Sequence, residues 1–496
     1  MGSSKLGTDE RPLWVAIIGA GPAAYFTAEA LFKQKELNVR VDMFNRLPTP
    51  YGLVRDGVAP DHQSIKAVTR KFEKISHDPR FRYFGNVTIG EDIHRDDLLG
   101  LYDQIVYAVG MPADKQMGIP GEDLEGSHSA TEFVWWYNGH PDFTDCEFDL
   151  SAERAVVVGI GNVALDVARI LASSPDTLGT TDIADHALEA LRSSRVREIV
   201  VLGRRGPAQA AFTSVELKEF GQLEGAGVAV DPADLELDEE SRRLVEEQRA
   251  VRRNHELLEG YASGGAPSNG GRTVEFRFLV SPVEMIGGEA GRLEAVRIER
   301  NRLTKTEDGS MRSRGTGEYD EIEAGLVFRS IGYRGIPLPG VPFHDRWGII
   351  PNEGGRVVDE DGTRHPREYV SGWCKRGPTG VIGTNKPDGA ETAGAMLEDA
   401  ASIAGELPEG RSANAIEALL AKRRVDYVTF QDWEALDEFE LSRGEAEGRP
   451  RVKVCHVDEM LEVIHAGRAR RGAAKTSDKG GTTLQSGSEQ PVFRCS

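Results

Sequence analysis

Two glycine turns and one arginine pair carry the clearest chemistry in this sequence. At Gly19-Ala20-Gly21-Pro22-Ala23-Ala24, and again at Gly159-Ile160-Gly161-Asn162-Val163-Ala164, two glycines stand one residue apart with an alanine three further on. In such a turn the first glycine permits a sharp change of direction and the second lets a ligand approach the backbone. The alanine leaves room for a helix to pack on a strand. Each turn follows an apolar run (residues 15–18 and 156–158). Each precedes residues at helical spacing: Phe26, Ala30 and Leu31 after the first, Leu165, Ala168 and Arg169 after the second. Strand, turn and helix in that order aim N–H groups and a positive helix end at a pyrophosphate. Two such units in one chain imply two adenine dinucleotides, one held and one exchanged.

The strand after the second turn, residues 198–202, ends in Gly203-Arg204-Arg205-Gly206. A site for NAD carries an acid at that strand end to bind the ribose 2′-hydroxyl. Two guanidinium groups would instead clamp a dianionic 2′-phosphate, so the exchanged nucleotide reads as NADP; the alternative is a solvated surface pair. In the first unit the corresponding strand, residues 39–44, places Asn45 where the ribose acid normally stands. An amide bonds a diol without the charge assistance of a carboxylate.

The elements that must position these groups follow from periodicity and punctuation. Residues 47–66 form a long Pro/Gly-punctuated loop with Tyr51, Arg55 and His62. It begins at a nucleotide strand, which favours cofactor contact, although His62 by composition alone reads as a satisfied loop residue. Residues 104–110 are a buried strand stopping at glycine, with a counterpart at 326–332, and paired crossings of this kind let a chain leave one domain and return. Between them lie the second glycine turn, a charged helical stretch (238–260), a Gly/Ser-rich loop (262–271) and strand-like runs at 273–280 and 293–298. Residues 369–384 run from a short strand into a glycine-rich loop containing Trp373, and 391–403 read as a helix. That helix start suits the pyrimidine edge of a flavin, while Trp373 reads equally as core. The expected fold is α/β, with two Rossmann-like dinucleotide-binding domains. The domain of the exchanged NADP (111–330) is inserted into a discontinuous domain for the held dinucleotide (12–110 and 331–465), and the Gly/Ser/Thr-rich residues 466–496 are expected to be a disordered tail.

The chain has 496 residues, 39% apolar and 28% charged, enough for two or three cores. A formal net charge of −20 argues against nucleic acid and anionic membrane as partners. No apolar run has the length needed to span a bilayer. Asp9 and Glu10 in an N-terminus without an apolar core argue against a targeting segment. Cys146, Cys374, Cys455 and Cys495 form no CxxC, no zinc pattern and no iron–sulfur run, so no metal site is expected and a reducing, cytoplasmic compartment is the simplest inference. Lys66, Arg70, Lys71 and Lys74 stack at helical spacing and read either as a solvated face or as a docking surface for an acidic protein. Arg192, Arg195 and Arg197 form a second basic cluster.

Five ordered motifs complete the reading: GAGPAA, PYGLVRDGVAPDH, GIGNVALDVARIL, GRRGP followed by AFTSVELKE, and GWCKRGPTGVIGTNK. Over residues 12–465 the chain resembles the adrenodoxin reductase-type ferredoxin–NADP⁺ reductases, flavoproteins with two dinucleotide folds related to glutathione reductase. The resemblance implies tightly bound FAD, hydride from NADPH, and single electrons passed to a ferredoxin-like iron–sulfur protein. It places Gly19, Gly21, Ala23, Leu53 and Ile89 against FAD, with Trp373 and Gly380, Val381 and Ile382 along the isoalloxazine. The family's acidic ribose ligand falls on Asn45. Ile160, Gly161, Asn162 and Val163 match the NADP pyrophosphate turn, and Arg204 and Arg205 the 2′-phosphate clamp. Glu216 and Gly380 match the nicotinamide side. His62 and Glu219 match a pair close to the flavin, with a tuning role in proton handling or domain pose. The family's loop usually carries an aromatic where Asp56 stands here. Absence of a redox CxxC argues against a thioredoxin or glutathione reductase and implies an external acceptor. The rival readings are a diaphorase or quinone-type reductase, an electron-input subunit resembling the glutamate synthase small chain, which carries cysteine clusters this sequence lacks, and a non-catalytic NADP sensor.

Overall fold

The computed structural model describes residues 6–264, 271–288, 291–307, 310–403 and 413–478. Strand β1 (Leu13–Ile18) is buried almost throughout, as a central parallel strand covered on both faces must be. β2 (Val39–Phe44) and then β3 (Phe81–Phe84) run parallel on one side of it, and β4 (Gln104–Tyr107) runs parallel on the other. The order therefore reverses between β1 and β4, and the Gly19–Gly21 turn leaves β1 at that switch point, where an α/β sheet opens a crevice.

The chain then crosses through β5 (Ala113–Asp114) into a second sheet of β6 (Ser127–Ser129), β7 (Arg154–Val158), β8 (Glu198–Gly203), β9 (Ala226–Val230) and β10 (Arg272–Phe278). An antiparallel sheet follows, made of β11 (Val280–Gly287), β12 (Leu293–Lys305) and β13 (Met311–Glu323). β14 (Leu326–Arg329) returns to the second sheet between β6 and β7, completing the parallel order β6-β14-β7-β8-β10-β9. This repeats the reversal of the first sheet, now between β7 and β14, at the second glycine turn. β15 (Tyr333–Arg334) pairs antiparallel with β5, so the outward and return crossings are bound to each other. β16 (Asn352–Glu353), β17 (Arg356–Val358) and β18 (Arg364–Val370) finish the first sheet, with β18 parallel to β4. Each large sheet has apolar clusters on both faces.

Several expectations change in detail. The charged stretch is two helices, Glu239–Glu247 and Arg249–Gly264. The helix expected from residue 391 begins earlier, at Asn385. The tail expected from residue 466 is in part a helix, Val457–Asp478. Its later turns carry no apolar stripe and are held by charge: Arg468 bonds Asp426 at 2.8 Å and Asp432 at 2.9 Å, and Arg471 also pairs with Asp432. Residues 479–496, and most of the Gly/Ser-rich loop, lie outside the described residues. Among the described residues no helix is long and apolar enough to cross a membrane.

Candidate active site

The two glycine turns are sterically obligatory. Gly19 has φ +101° and a Cβ there would stand 2.4 Å from Ala108 O; Gly159 has φ +133° and a Cβ there would stand 2.1 Å from Ser330 O. Gly21 and Gly161 differ. Each is an extended N-cap without a side-chain cap, and a Cβ on either would meet nothing within 4 Å. Helices Pro22–Lys33 and Asn162–Ala172 thus start without a side-chain cap and with room beside the glycine before them, a cradle that suits a pyrophosphate twice over.

Distant segments converge on the first cradle. Tyr51 N donates to Ala20 O at 2.9 Å. A Cβ on Gly52 would stand 3.0 Å from Gly21 Cα, so the loop bearing Leu53 lies on the turn. A Cβ on Gly372 would stand 2.5 Å from Ala23 Cβ, which brings Trp373 to the same helix start. Gly19 N donates to Phe44 O at 2.7 Å and sets Asn45 beside the turn, while Val87 N donates to Asn45 O at 2.9 Å, two residues before Ile89. Asn45 gives both amide hydrogens to the loop, to Leu47 O at 3.1 Å and Thr49 O at 2.9 Å. Its oxygen remains the acceptor that a ribose hydroxyl requires. Gly380 and Val381 are exposed and Ile382 is half-buried. Arg376 braces their loop by bonding Thr379 O and, at 3.0 Å, Asn385 Oδ1.

At the second cradle, Ala211 N donates to Ile160 O at 2.9 Å and Thr213 N to Asn162 Oδ1 at 2.8 Å. These bonds tie the turn bearing Gly161 and Val163 to the segment between Arg205 and Glu216. Arg204 is exposed and Arg205 half-buried at the end of β8. Among the described residues neither guanidinium meets a carboxylate within ion-pair distance. Burial and the neighbouring Arg204 both lower the proton affinity of Arg205. The pair is therefore a surplus of positive charge awaiting an anion.

Between the cradles lies a buried charge cluster. His62 Nε2 is 2.8 Å from Glu219 Oε2 and 3.3 Å from Glu216 Oε2, and its Nδ1 is 3.9 Å from Asp166. Arg169, only 2% exposed, bonds Asp61 at 2.7 and 3.0 Å and Asp166 at 2.8 Å, and approaches Glu219 at 3.2 Å and Glu216 at 3.7 Å. Burial and the adjacent charge of Asp166 push the Glu216 carboxyl up to about 7. Burial opposes the imidazolium of His62, but the Glu219 hydrogen bond and the charges of Asp166 and Asp61 prevail and raise it. Burial also raises Asp166. Four carboxyls thus pack around one guanidinium and one imidazole, and among them Glu216 is the one pushed up to about 7.

The profile of the family Pyridine nucleotide-disulphide oxidoreductase matches residues 14–200. The chain is 47% identical over 464 residues to NADPH-ferredoxin reductase FprA of Mycobacterium tuberculosis, covering 91% of this chain and 99% of that one. It is 39% identical over 461 residues to the mitochondrial NADPH:adrenodoxin oxidoreductase of Arabidopsis thaliana, covering 91% and 95%. The solved structure of Mycobacterium tuberculosis FprA in complex with NADPH superposes with a TM-score of 0.87 at 46% identity, covering 92% of this chain and all of that one. The chain belongs to the NADPH-ferredoxin and adrenodoxin reductase family.

In this reductase the cluster has members that the motifs did not single out: Asp61, Asp166 and Arg169. A signal was present, since Asp166 and Arg169 stand three apart on an otherwise apolar helix. Asp182 and Lys453 reassign Lys66. It is buried rather than part of a basic face, bonding Asp182 at 2.7 and 2.8 Å, with Lys453 3.7 Å from the same carboxylate. Burial and Lys453 bring the Lys66 ammonium down to about 7 against the pull of Asp182. Lys71 pairs with Glu29 at 2.7 Å, Arg192 with Glu189 at 3.4 Å and Arg195 with Glu153 at 3.6 Å, while among the described residues Arg70, Lys74 and Arg197 have no carboxylate within ion-pair distance. His62, Glu216 and Glu219 each offer a donor atom within 4.8 Å of the others. Arg169 already supplies the cation there.

Proposed function

We propose that this reductase binds FAD in the first cradle, takes hydride from NADPH in the second, and passes electrons singly to a ferredoxin-type iron–sulfur protein. The observation that carries the reading is the pair of uncapped, glycine-opened helix starts, one of them beside two arginines that have no carboxylate within ion-pair distance among the described residues. Bound flavin supplies the conversion of a two-electron hydride into single-electron transfers. Each NADPH then yields NADP⁺ and one proton and reduces two one-electron acceptors.

The chain's own residues bind, orient and hold charge. Gly19, Gly21 and Ala23 receive the FAD pyrophosphate, Asn45 Oδ1 accepts from its ribose, and Leu53, Ile89, Trp373, Gly380, Val381 and Ile382 border its ring system. Ile160 to Val163 receive the NADP pyrophosphate, and Arg204 and Arg205 select the 2′-phosphate. Glu216, its carboxyl pushed up to about 7, would stand on the nicotinamide side, and His62, hydrogen-bonded to Glu219, would hold the released proton. We assign residues 12–110 and 331–465 to the FAD-binding domain and 111–330 to the NADP-binding domain, following the two sheets. Free Cys146, Cys374 and Cys455 suit a reducing compartment, and we place the protein in the cytoplasm.

An absorbance spectrum of the purified protein tests the reading. Flavin bands bleached by anaerobic NADPH, far more readily than by NADH, are expected, together with cytochrome c reduction that depends on added ferredoxin. A protein without flavin bands, or one that NADH bleaches equally well, overturns it.

A further inference from the structure

Trp347 is 63% exposed and Ile336 54% exposed. Single exposed apolar side chains are ordinary, but these two stand on adjoining backbone. Gly335 N donates to Gly348 O at 3.1 Å, and Ile336 and Trp347 are the next residues on either side of that bonded pair. The knob is braced: Trp347 N donates to His344 Nδ1 at 3.3 Å, and the Arg346 guanidinium lies 5.5 Å from the Trp347 ring centroid.

Both roots of the knob reach walls assigned to the flavin. Tyr333, next to Arg334, has its ring 5.1 Å from that of Trp373. Pro339 packs so closely on Gly90, beside Ile89, that a Cβ on Gly90 would stand 2.8 Å from it. The local charge also departs from the rest of the chain. The chain has 80 Asp and Glu against 60 Lys and Arg, yet residues 331–349 hold two arginines, Arg334 and Arg346, and one acid, Asp345. Exposed Lys115 joins them, its N–H donating to Gly332 O at 3.0 Å. Asp345 lies 3.8 Å from Arg334 and offsets one of these three cations. Asp114, next to Lys115, is turned to Thr131 Oγ1 at 2.5 Å.

We propose that Trp347 and Ile336, flanked by Arg334, Arg346 and Lys115, are the docking surface for the acidic iron–sulfur protein that receives the electrons. The proposal rests on the function read above. An acidic partner is repelled by a chain of net charge −20 and needs a local positive rim that dominates within a screening length of about 8–10 Å. Tryptophan and arginine are the side chains that most often anchor such contacts. Docking here sets the acceptor against the outer side of the Trp373 and Ile89 walls. Each encounter moves one electron onto a ferric iron of the cluster, and no bond forms or breaks.

The test measures NADPH-driven reduction of a recombinant acidic [2Fe–2S] ferredoxin and, separately, of ferricyanide, by Trp347→Ala and Arg346→Glu holoenzymes at low and high salt. Trp347→Ala is expected to lower kcat/KM for ferredoxin roughly thirtyfold at both salts. Arg346→Glu is expected to lower it about tenfold at low salt and little at high salt. Ferricyanide, which needs no docking, should change by less than about twofold in both. Ferredoxin kinetics within about twofold of the parent in both variants, with ferricyanide intact, overturn the surface and leave the function standing. A parent enzyme that reduces ferricyanide but no ferredoxin overturns the function and the surface with it. If Trp347→Ala loses both acceptors, the exposed Arg346→Glu change decides.

Discussion

His62 Nε2 stands 2.8 Å from Glu219 Oε2 and 3.3 Å from Glu216 Oε2, so one imidazole nitrogen from the first nucleotide unit serves two carboxylates of the second. Burial and Asp166 push one of the two, Glu216, up to about 7. NADP⁺ carries a cationic ring and NADPH does not. Above pH 7 an ionised Glu216 attracts that ring, so NADP⁺ affinity should rise with pH through this window, by roughly three- to tenfold. In Glu216→Gln the rise should vanish. Fluorescence titrations from pH 6 to 8.5 check this, and a rise that persists in the variant would assign it to His62 instead.

The same shift has a stability consequence. A carboxyl whose folded value lies above its unfolded value of 4.5 binds its proton more tightly when folded. The folded state is therefore favoured at low pH, and that advantage is lost as pH rises from 4.5 to about 7. Glu216→Gln should be more stable than the parent apoprotein at pH 8, by at most roughly 3 kcal/mol, and should lose that margin near pH 5. Denaturant midpoints at the two pH values decide it.

Arg169 holds Asp61, Asp166 and Glu219 together. Arg169→Met leaves buried like charges without a counter-charge, a loss of about 3–5 kcal/mol by the usual cost of breaking a buried pair. Arg169→Lys should rescue little, because a point charge cannot reproduce the forked bonds to Asp61 at 2.7 and 3.0 Å. The deficit should shrink at pH 5.5, where Glu216, pushed up to about 7, gains its proton. Equal deficits at pH 5.5 and 8 would mean that packing, not charge, is what Arg169 provides.

Replacing Arg204 and Arg205 with alanine should cost NADPH two to four orders of magnitude in kcat/KM, given about 1.5–3 kcal/mol for each charge-assisted contact, and leave NADH almost unchanged. Equal losses for both nucleotides would remove the pair from the 2′-phosphate.

The sequence disclosed what depends on local periodicity and on backbone sterics. Both glycine turns, their strands and the crossings near residues 110 and 332 were legible because a buried parallel strand ending in glycine has few alternatives. β13 was not legible: its run MRSRGTGEYDEIE is exposed and charged, and pairing with β12 alone makes it a strand. The charge cluster was half legible, through residues matching family motifs. Arg169 becomes its hub only when residues 61, 166, 216 and 219 meet in space, which no spacing announces. Lys66 was misread because helical spacing shows which residues share a face and not whether that face is covered, here by Asp182 and Lys453.

Asn45 reverses the simplest inference from its type. Restoring the family's acid there would seem to strengthen ribose binding, since a carboxylate accepts more strongly than an amide. Yet both Asn45 amide hydrogens are committed, to Leu47 O at 3.1 Å and Thr49 O at 2.9 Å. A carboxylate donates neither bond and sets its charge against two carbonyl oxygens. The loop so released leads into Tyr51, held at φ +82° on the first turn, and into Leu53. Two lost bonds of about 1 kcal/mol each outweigh the gain at one hydroxyl, so Asn45→Asp should release FAD on the order of tenfold faster at pH 8. At pH 5 a protonated Asp regains one donor and part of the retention should return. Release rates read from flavin fluorescence at the two pH values settle the matter. Slower release from Asn45→Asp at pH 8 would show that the ribose contact, and not the loop tie, is what this position controls.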